Sequence, residues 1–366
     1  MSTAYRKALW AALAVFCTLL LVLLVTIYAT DENTPQNKNV GETLTCNKYA
    51  AVDGSDDAEG TRAAPFHTVQ SLVDSLSAGQ VGCLRGGVYT EPDKQVIFDD
   101  GGARGDRIIL RSYPGEKAEF RGLIYVPEGS DYITVSNMRL DGSYGAVGKG
   151  HFKGDRNTSQ AVRVMGDEVS ILDNDITNRR PNGDPGLAGT CIILGSSKIT
   201  PGDITIKHNR IHRCGQMPRT NHEHGIYASN TTGAKIVDNL LYDNADRGIQ
   251  LYPDARGTLV AGSIVDGNGQ GLIINANSSY NTVRNNVFSN PADGWNVNLG
   301  PELSGVGNRV IDNCFWASGG ESEFNNVGDF TNVWGNITAN PHYRNRNSFQ
   351  ITNPTCLSKY SGTLAR

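Results

Sequence analysis

Four segments decide the fold: HGIYAS at His224–Ser229, RGIQLY at Arg247–Tyr252, QGLIIN at Gln270–Asn275 and DGWNVN at Asp293–Asn298. Their glycines, Gly225, Gly248, Gly271 and Gly294, follow one another at intervals of 23 residues. Apolar positions keep the same step, as Ile226, Ile249, Leu272 and Trp295, then Ala228, Leu251, Ile274 and Val297. A second strand repeats between them, as Val237, Val260 and Val283 followed by Leu241, Ile264 and Val287. Short alternating runs at a fixed period with no helix between them predict the coils of a parallel β-solenoid. One coil cannot bury its apolar side alone, so successive coils stack about 4.8 Å apart around a shared core.

Residues 80–350 divide into about ten such coils, a rod about 45 Å long. Asn174, Asn209, Asn239, Asn285 and Asn313 each stand two residues before an apolar residue and are expected to form a hydrogen-bonded ladder along the axis, since Asn tolerates left-handed backbone. Before the repeats, Val69, Leu72, Val73 and Leu76 fall on one helical face of Thr68–Leu76. This single short helix is expected to cap the first coil and protect its open edge.

Composition agrees. Among the 366 residues, 42 are glycine and 19% are charged, which disfavours helical folds. The net charge of −4 leaves no basic footprint, and no nucleic-acid partner is expected. Ala8–Ala29 is uncharged and rich in Leu, Val and Ala, with Arg6 and Lys7 before it and Asp31 and Glu32 after it. A helix of that length spans about 33 Å, enough for a bilayer core. The charge flanks place residues 1–7 in the cytoplasm, 8–29 across the membrane as a signal anchor, 30–43 as a polar linker and 44–366 outside as the β-solenoid domain. If the segment is cleaved instead, the body is secreted. Six cysteines lie outside the span, an even number that suits disulfides in an oxidising compartment. The simplest pairing joins neighbours: Cys46–Cys83, Cys191–Cys214 and Cys314–Cys356. None of the spacings is CxxC, which argues against zinc.

Residues one period apart lie above one another, so the repeat predicts surface columns. One runs Thr190, His224, Arg247, Gln270, Asp293. The next are Tyr227, Gln250, Ile273, Asn296 and Ser229, Tyr252, Asn275, Asn298. His222, His224, Tyr227, Arg247, Tyr252 and Asp254 are therefore expected on one face, where a polymer could lie. The chemistry of that patch suits an acidic sugar. β-Elimination beside a uronate needs a cation against the carboxylate, a base for the C5 proton and an acid for the leaving oxygen. Arg247 could clamp the carboxylate, His224 or His222 could be the base, and Tyr252 or Tyr227 could supply the acid or stack on a sugar ring. Tyr227, Gln250, Asp254 and Asn275 are the expected substrate contacts. An epimerase needs the same set, returning the proton to the opposite face. The bland alternative is that His222-x-His224 serves turn hydrogen bonding and that Arg247 only pairs with Asp246. Asp243 and Asp266, one period apart, are expected to stack and could recruit calcium, the one cofactor anticipated.

Two stretches carry a family resemblance. DGSDDAEGTRAAPFHTVQSLVDSLSAGQVGCLRGGVYTE, from Asp53 to Glu91, resembles the opening of exported β-helix polysaccharide lyases. HEHGIYASNTTGAKIVDNLLYDNADRGIQLY, from His222 to Tyr252, is similar to the repeat of mannuronan epimerases and other surface carbohydrate-processing β-helices. The chain thus resembles the right-handed parallel β-helix proteins of the pectate-lyase-like group over about four-fifths of its length. The resemblance implies a single-stranded right-handed parallel β-helix, an all-β fold that hosts lyases, hydrolases, epimerases and non-catalytic adhesins. It departs from family patterns in several places: no Arg-x-Lys with Gly-His-Gly, no Asp-Pro-His, and no lysine base on the patch. A lyase or epimerase acting on an acidic polysaccharide is the first expectation; a non-catalytic glycan binder or structural surface protein is the alternative.

Overall fold

The computed structural model describes residues 45–144, 159–178, 189–219, 221–317, 324–325 and 331–363. The expected anchor (8–29) and linker (30–43) lie outside the described residues. No described helix is long and apolar enough to cross a membrane. Cys46–Arg366 forms one compact unit.

The described residues wind into three parallel sheets of 11, 10 and 9 strands, here sheets A, B and C. One coil shows the order: Lys235–Val237 in sheet A, Leu240–Tyr242 in sheet B, Arg247–Leu251 in sheet C, then Leu259–Ala261 back in sheet A. Most strands are only three to five residues long, so one or two side chains per strand point inward. Ile236, Val260 and Val283 do so in sheet A, Leu241, Val265 and Phe288 in sheet B, and Ile226, Ile249 and Leu272 in sheet C. All belong to one continuous core, and each stabilises the fold by roughly 1.5–3 kcal/mol relative to exposure.

The 23-residue step holds for three of the four segments. Ile226 faces Ile249 and Ile249 faces Leu272, but Leu272 faces Val297 and not Trp295. Two extra residues between Ser289 and Val297 shift the fourth segment, so Gly271 N–H donates to the Trp295 carbonyl and Asn298 takes the column place expected for Asn296. Asp293 thereby leaves its expected column and pairs with Arg219.

The asparagine ladder forms with one change of member. Asn174 Nδ2 donates to Asn209 Oδ1 at 3.2 Å, and Asn209 Nδ2 to Asn239 Oδ1 at 3.1 Å. Ser263 takes the next rung, followed by Asn286, Asn313 and Asn336. The buried member is Asn286, not Asn285; Asn285 sits in left-handed backbone and donates to the Lys359 carbonyl. The ladder residue stands two before the core residue Phe288, whereas Val287 points outward.

The capping helix covers Val69–Asp74, shorter than Thr68–Leu76. The Thr68 side chain accepts from Ser71 N–H, and Asp56 Oδ1 accepts from the N–H groups of His67 and Thr68. Val69, Leu72 and Val73 are buried against the first coil. All three disulfides join neighbouring cysteines, Cys46–Cys83, Cys191–Cys214 and Cys314–Cys356, closing separations of 37, 23 and 42 residues. By loop entropy each contributes about 3–4 kcal/mol.

A feature outside the sequence reading is the C-terminal tail. It folds back over the outer side of sheet B, where Phe349, Ile351, Cys356 and Tyr360 cover Leu240, Ile264, Val287 and Cys314. Lys359 Nζ meets Asp312 Oδ1 at 2.7 Å and helps pin it. The outer side of sheet B is thus covered over the coils from Leu240 to Cys314, whereas that of sheet C carries an open cleft.

Candidate active site

The cleft has a volume of about 590 Å³ and lies along the outward positions of sheet C. Its lining includes seven of the eight residues expected to catalyse or bind: His222, His224, Tyr227, Arg247, Gln250, Tyr252 and Asn275. The register explains the gathering. Tyr227 faces Gln250, and Gln250 faces Ile273, in adjacent strands. Because the strand period is two, these outward side chains stand between the buried Ile249 and Leu251 of one coil and their equivalents in the next. His224 and Arg247 form the neighbouring column, with Arg247 facing Gln270.

Arg247 is held from three sides. Its Nη1 donates to Asp246 Oδ2 at 3.1 Å, to Gln250 Oε1 at 3.1 Å and to Asn221 Oδ1. Its Nε is buried without a hydrogen-bond partner. Burial pulls the Arg247 guanidinium below its ordinary value and pushes the Asp246 carboxyl above its own, each opposed by the charge of the other. The pairing with Asp246 anticipated as the bland alternative is therefore present, and it fixes the guanidinium at the cleft wall.

The two histidines differ. His222 is exposed. His224 is 1% exposed, stacked edge-on to Tyr227 at 5.9 Å, and accepts at Nδ1 from the Arg247 backbone N–H at 3.4 Å. Burial first, then the positive field of Arg247, holds its pKa well below 6.5, so it is a neutral imidazole. Thr190 ties both to the previous coil. Its hydroxyl donates to the His222 carbonyl at 2.9 Å and accepts from His224 N–H at 3.3 Å.

Asp254 does not line the cleft. It follows the strand Arg247–Leu251 and turns to Arg256, whose Nε is 2.8 Å from its Oδ1. Asp243 and Asp266 come close together as expected, though not in the expected register. Asp266 faces Tyr242, so the two acids are one residue out of step, and they sit on the side of sheet B. The compensating charge comes from Arg346, whose Nη2 is 2.8 Å from Asp243 and 3.0 Å from Asp266. Ser289 and Asn290 complete the shell of Asp266, each donating at 2.7 Å. Among the described residues, no group of three or more His, Cys, Asp or Glu is placed to hold a metal ion.

Sequence reasoning missed Asn221, Gln160 and Glu302. Asn221 lies in a loop outside the repeat and takes a left-handed conformation that Asn tolerates. Glu302 follows the shifted fourth segment, where the 23-residue alignment no longer tracks position.

A parallel β-solenoid with a polar, aromatic cleft along one sheet is the class of protein this geometry defines. The chain belongs to the right-handed β-helix family, whose model, "Right handed beta helix region", matches residues 124–331. It is similar to Pectate lyase PEL9 of Emericella nidulans, 39% identical over 79 residues, which is 22% of this chain and 19% of that protein. The chain thus aligns with about a fifth of that relative's length. Among solved structures it is similar to pectate lyase Pel9A, with a TM-score of 0.60, 13% identity and 80% of each chain covered. It is also similar to a rhamnogalacturonan lyase, with a TM-score of 0.56, 15% identity and coverage of 79% of this chain and 87% of that one. At these identities the structural likeness establishes the fold.

Proposed function

We propose that this chain is an enzyme of an acidic polysaccharide, working by elimination or epimerisation at uronate C5 in the sheet C cleft. The observation that carries the proposal is the convergence of Arg247, His222, Tyr227 and Tyr252 on one depression. The match to a stretch of a pectate lyase adds support, and the three disulfides fit an oxidising compartment outside the cytoplasm.

In this reading the uronate carboxylate rests on the guanidinium edge of Arg247, which stabilises the charge that develops when C5 loses its proton. His222 takes that proton. The freed electron pair forms the C4–C5 double bond, the C4–oxygen bond breaks, and Tyr252 protonates the leaving oxygen. Return of a proton to the opposite face of C5 would give the epimer instead. His224 and Thr190 position the loop that carries His222, and Tyr227 offers a ring for sugar stacking. Calcium does not fit this cleft. It takes six to eight oxygen ligands, and Glu302 is the one carboxylate among the lining residues, so no step is routed through it.

The test is ultraviolet absorbance of unsaturated uronate, recorded with the full-length chain on pectate, alginate and glycosaminoglycans. His222→Asn and Arg247→Gln are each expected to lower turnover about 100-fold or more with unchanged far-UV circular dichroism. Full turnover in both variants would contradict the assignment. A second reading, glycan binding without turnover, is favoured by one observation: Arg247 Nη1 is already committed to three protein acceptors. Uronate binding with no change at C5 is its signature.

A further inference from the structure

The cleft is charged differently at its centre and at one end. Its lining runs from Gln160 and Thr190 past Arg247 to Asn275 and Glu302, across six successive strand levels or about 24 Å along the axis. That is room for several sugars lying along the rod. Arg247 stands at the strand Arg247–Leu251. Glu302 follows the strand Val297–Leu299, two levels or about 10 Å further along the axis, and lies past the opposite strand end from Arg247. Asn275, on the level between, donates from Nδ2 to Glu302 Oε2 at 3.4 Å and steadies the carboxylate at the cleft end. Glu302 is exposed. The side chains between the two charges, Gln250, Tyr252 and Ile273, are uncharged.

A polyuronate with a carboxylate on every sugar cannot suit this pattern. With one carboxylate on Arg247, the next sugars along the cleft bring theirs toward Glu302. Among the described residues lining the cleft, Arg247 is the one Lys or Arg, and Asp246 behind it already balances much of its charge. Like charges at that range in a partly shielded groove weaken binding appreciably.

We propose that Glu302 is a specificity-determining residue, and that the cleft takes a polymer in which the uronate is followed by an uncharged sugar, rejecting uniformly charged polyuronates. This rests on the placement of a uronate at Arg247 under the proposed function.

The test is isothermal titration of the full-length chain with oligosaccharides of equal length, at fixed ionic strength. Two alternate uronate with an uncharged sugar, galacturonate–rhamnose and hyaluronan oligomers. Two are uniform, oligogalacturonate and oligomannuronate. At least one alternating oligomer is expected to bind tenfold or more tighter than either uniform one. Glu302→Gln should bring that ratio close to one, and Glu302→Lys should invert it. Equal binding of both classes by the wild type, or a ratio unmoved by Glu302→Gln, overturns the proposal and leaves the cleft as a uronate site. Absence of binding to every uronate oligomer, or binding that survives intact in Arg247→Gln, overturns it by removing the uronate from Arg247.

Discussion

His224 is a titratable group kept neutral by its surroundings, and that has a consequence for stability. Its pKa in the fold lies well below 6.5, through burial first and the charge of Arg247 second. In the unfolded chain it titrates near its ordinary value. Between those two values the unfolded chain binds a proton that the fold does not. The stabilising contribution is therefore complete above 6.5 and is lost as pH falls below it, by up to about 1.4 kcal/mol per pH unit. His224→Gln, neutral at all pH values, is expected to flatten the dependence of the urea midpoint between about pH 7 and about pH 5. An unchanged slope in the variant would show that His224 takes up its proton in the fold as readily as in the unfolded chain. The place of His222 and His224 on the cleft side was legible in the sequence because the 23-residue step puts His224 in one column with Arg247. The burial of one and exposure of the other was not, because it depends on Thr190 and Tyr227 from other coils. Asp254 was misplaced for a related reason: it lies beyond the strand end, where periodicity says nothing about direction.

At the scale of the elements, the asparagine ladder is where sequence and structure differ by one residue with a measurable result. Asn239 Oδ1 accepts from Asn209 N–H at 2.9 Å and from Asn209 Nδ2 at 3.1 Å. Its own Nδ2 donates to the carbonyls of Ile206 and Val237 at 2.8 and 3.0 Å. Removing the amide leaves several buried groups without partners, so Asn239→Ala should cost about 3 kcal/mol. Asn285→Ala should cost less than about 1 kcal/mol, because its amide meets only an outer carbonyl of the tail. Denaturant unfolding of both variants checks the register, and equal losses would mean that the ladder runs through Asn285 after all. The tandem Asn285–Asn286 made the choice ambiguous in sequence. What resolves it is which of the two precedes the inward-facing Phe288 by two, and that needs the strand's facing. The coil stacking itself was readable, since a 23-residue step in glycine and in two apolar columns has few other physical explanations. The two-residue slip before Val297 was not, because an insertion at a turn leaves the apolar pattern intact while moving its phase.

For the whole molecule, the three sheets divide the labour. Over its later coils sheet B has an apolar outer side at Leu240, Ile264, Val287 and Cys314, and the tail held by Cys314–Cys356 and by Lys359 covers it. Sheet C has a polar and aromatic outer side, and it is left open as the cleft. Nothing in the repeat distinguishes a side to be covered from a side to be used. The tail carries no periodicity, and Arg346 lies 80 residues from Asp266, the acid it joins to Asp243. An arginine at such a distance in sequence is why two acids one period apart suggested a cation site. Under the proposed function the open side removes the C5 proton of a uronate, a step that elimination and epimerisation share. It is tested most directly by following the C5 proton by nuclear magnetic resonance in deuterated water, with the full-length chain and each uronate oligosaccharide that it binds. The C5 proton signal is expected to disappear with wild type and to persist with His222→Asn and Arg247→Gln. Persistence of that signal with wild type on every oligosaccharide it binds would rule out proton removal at C5.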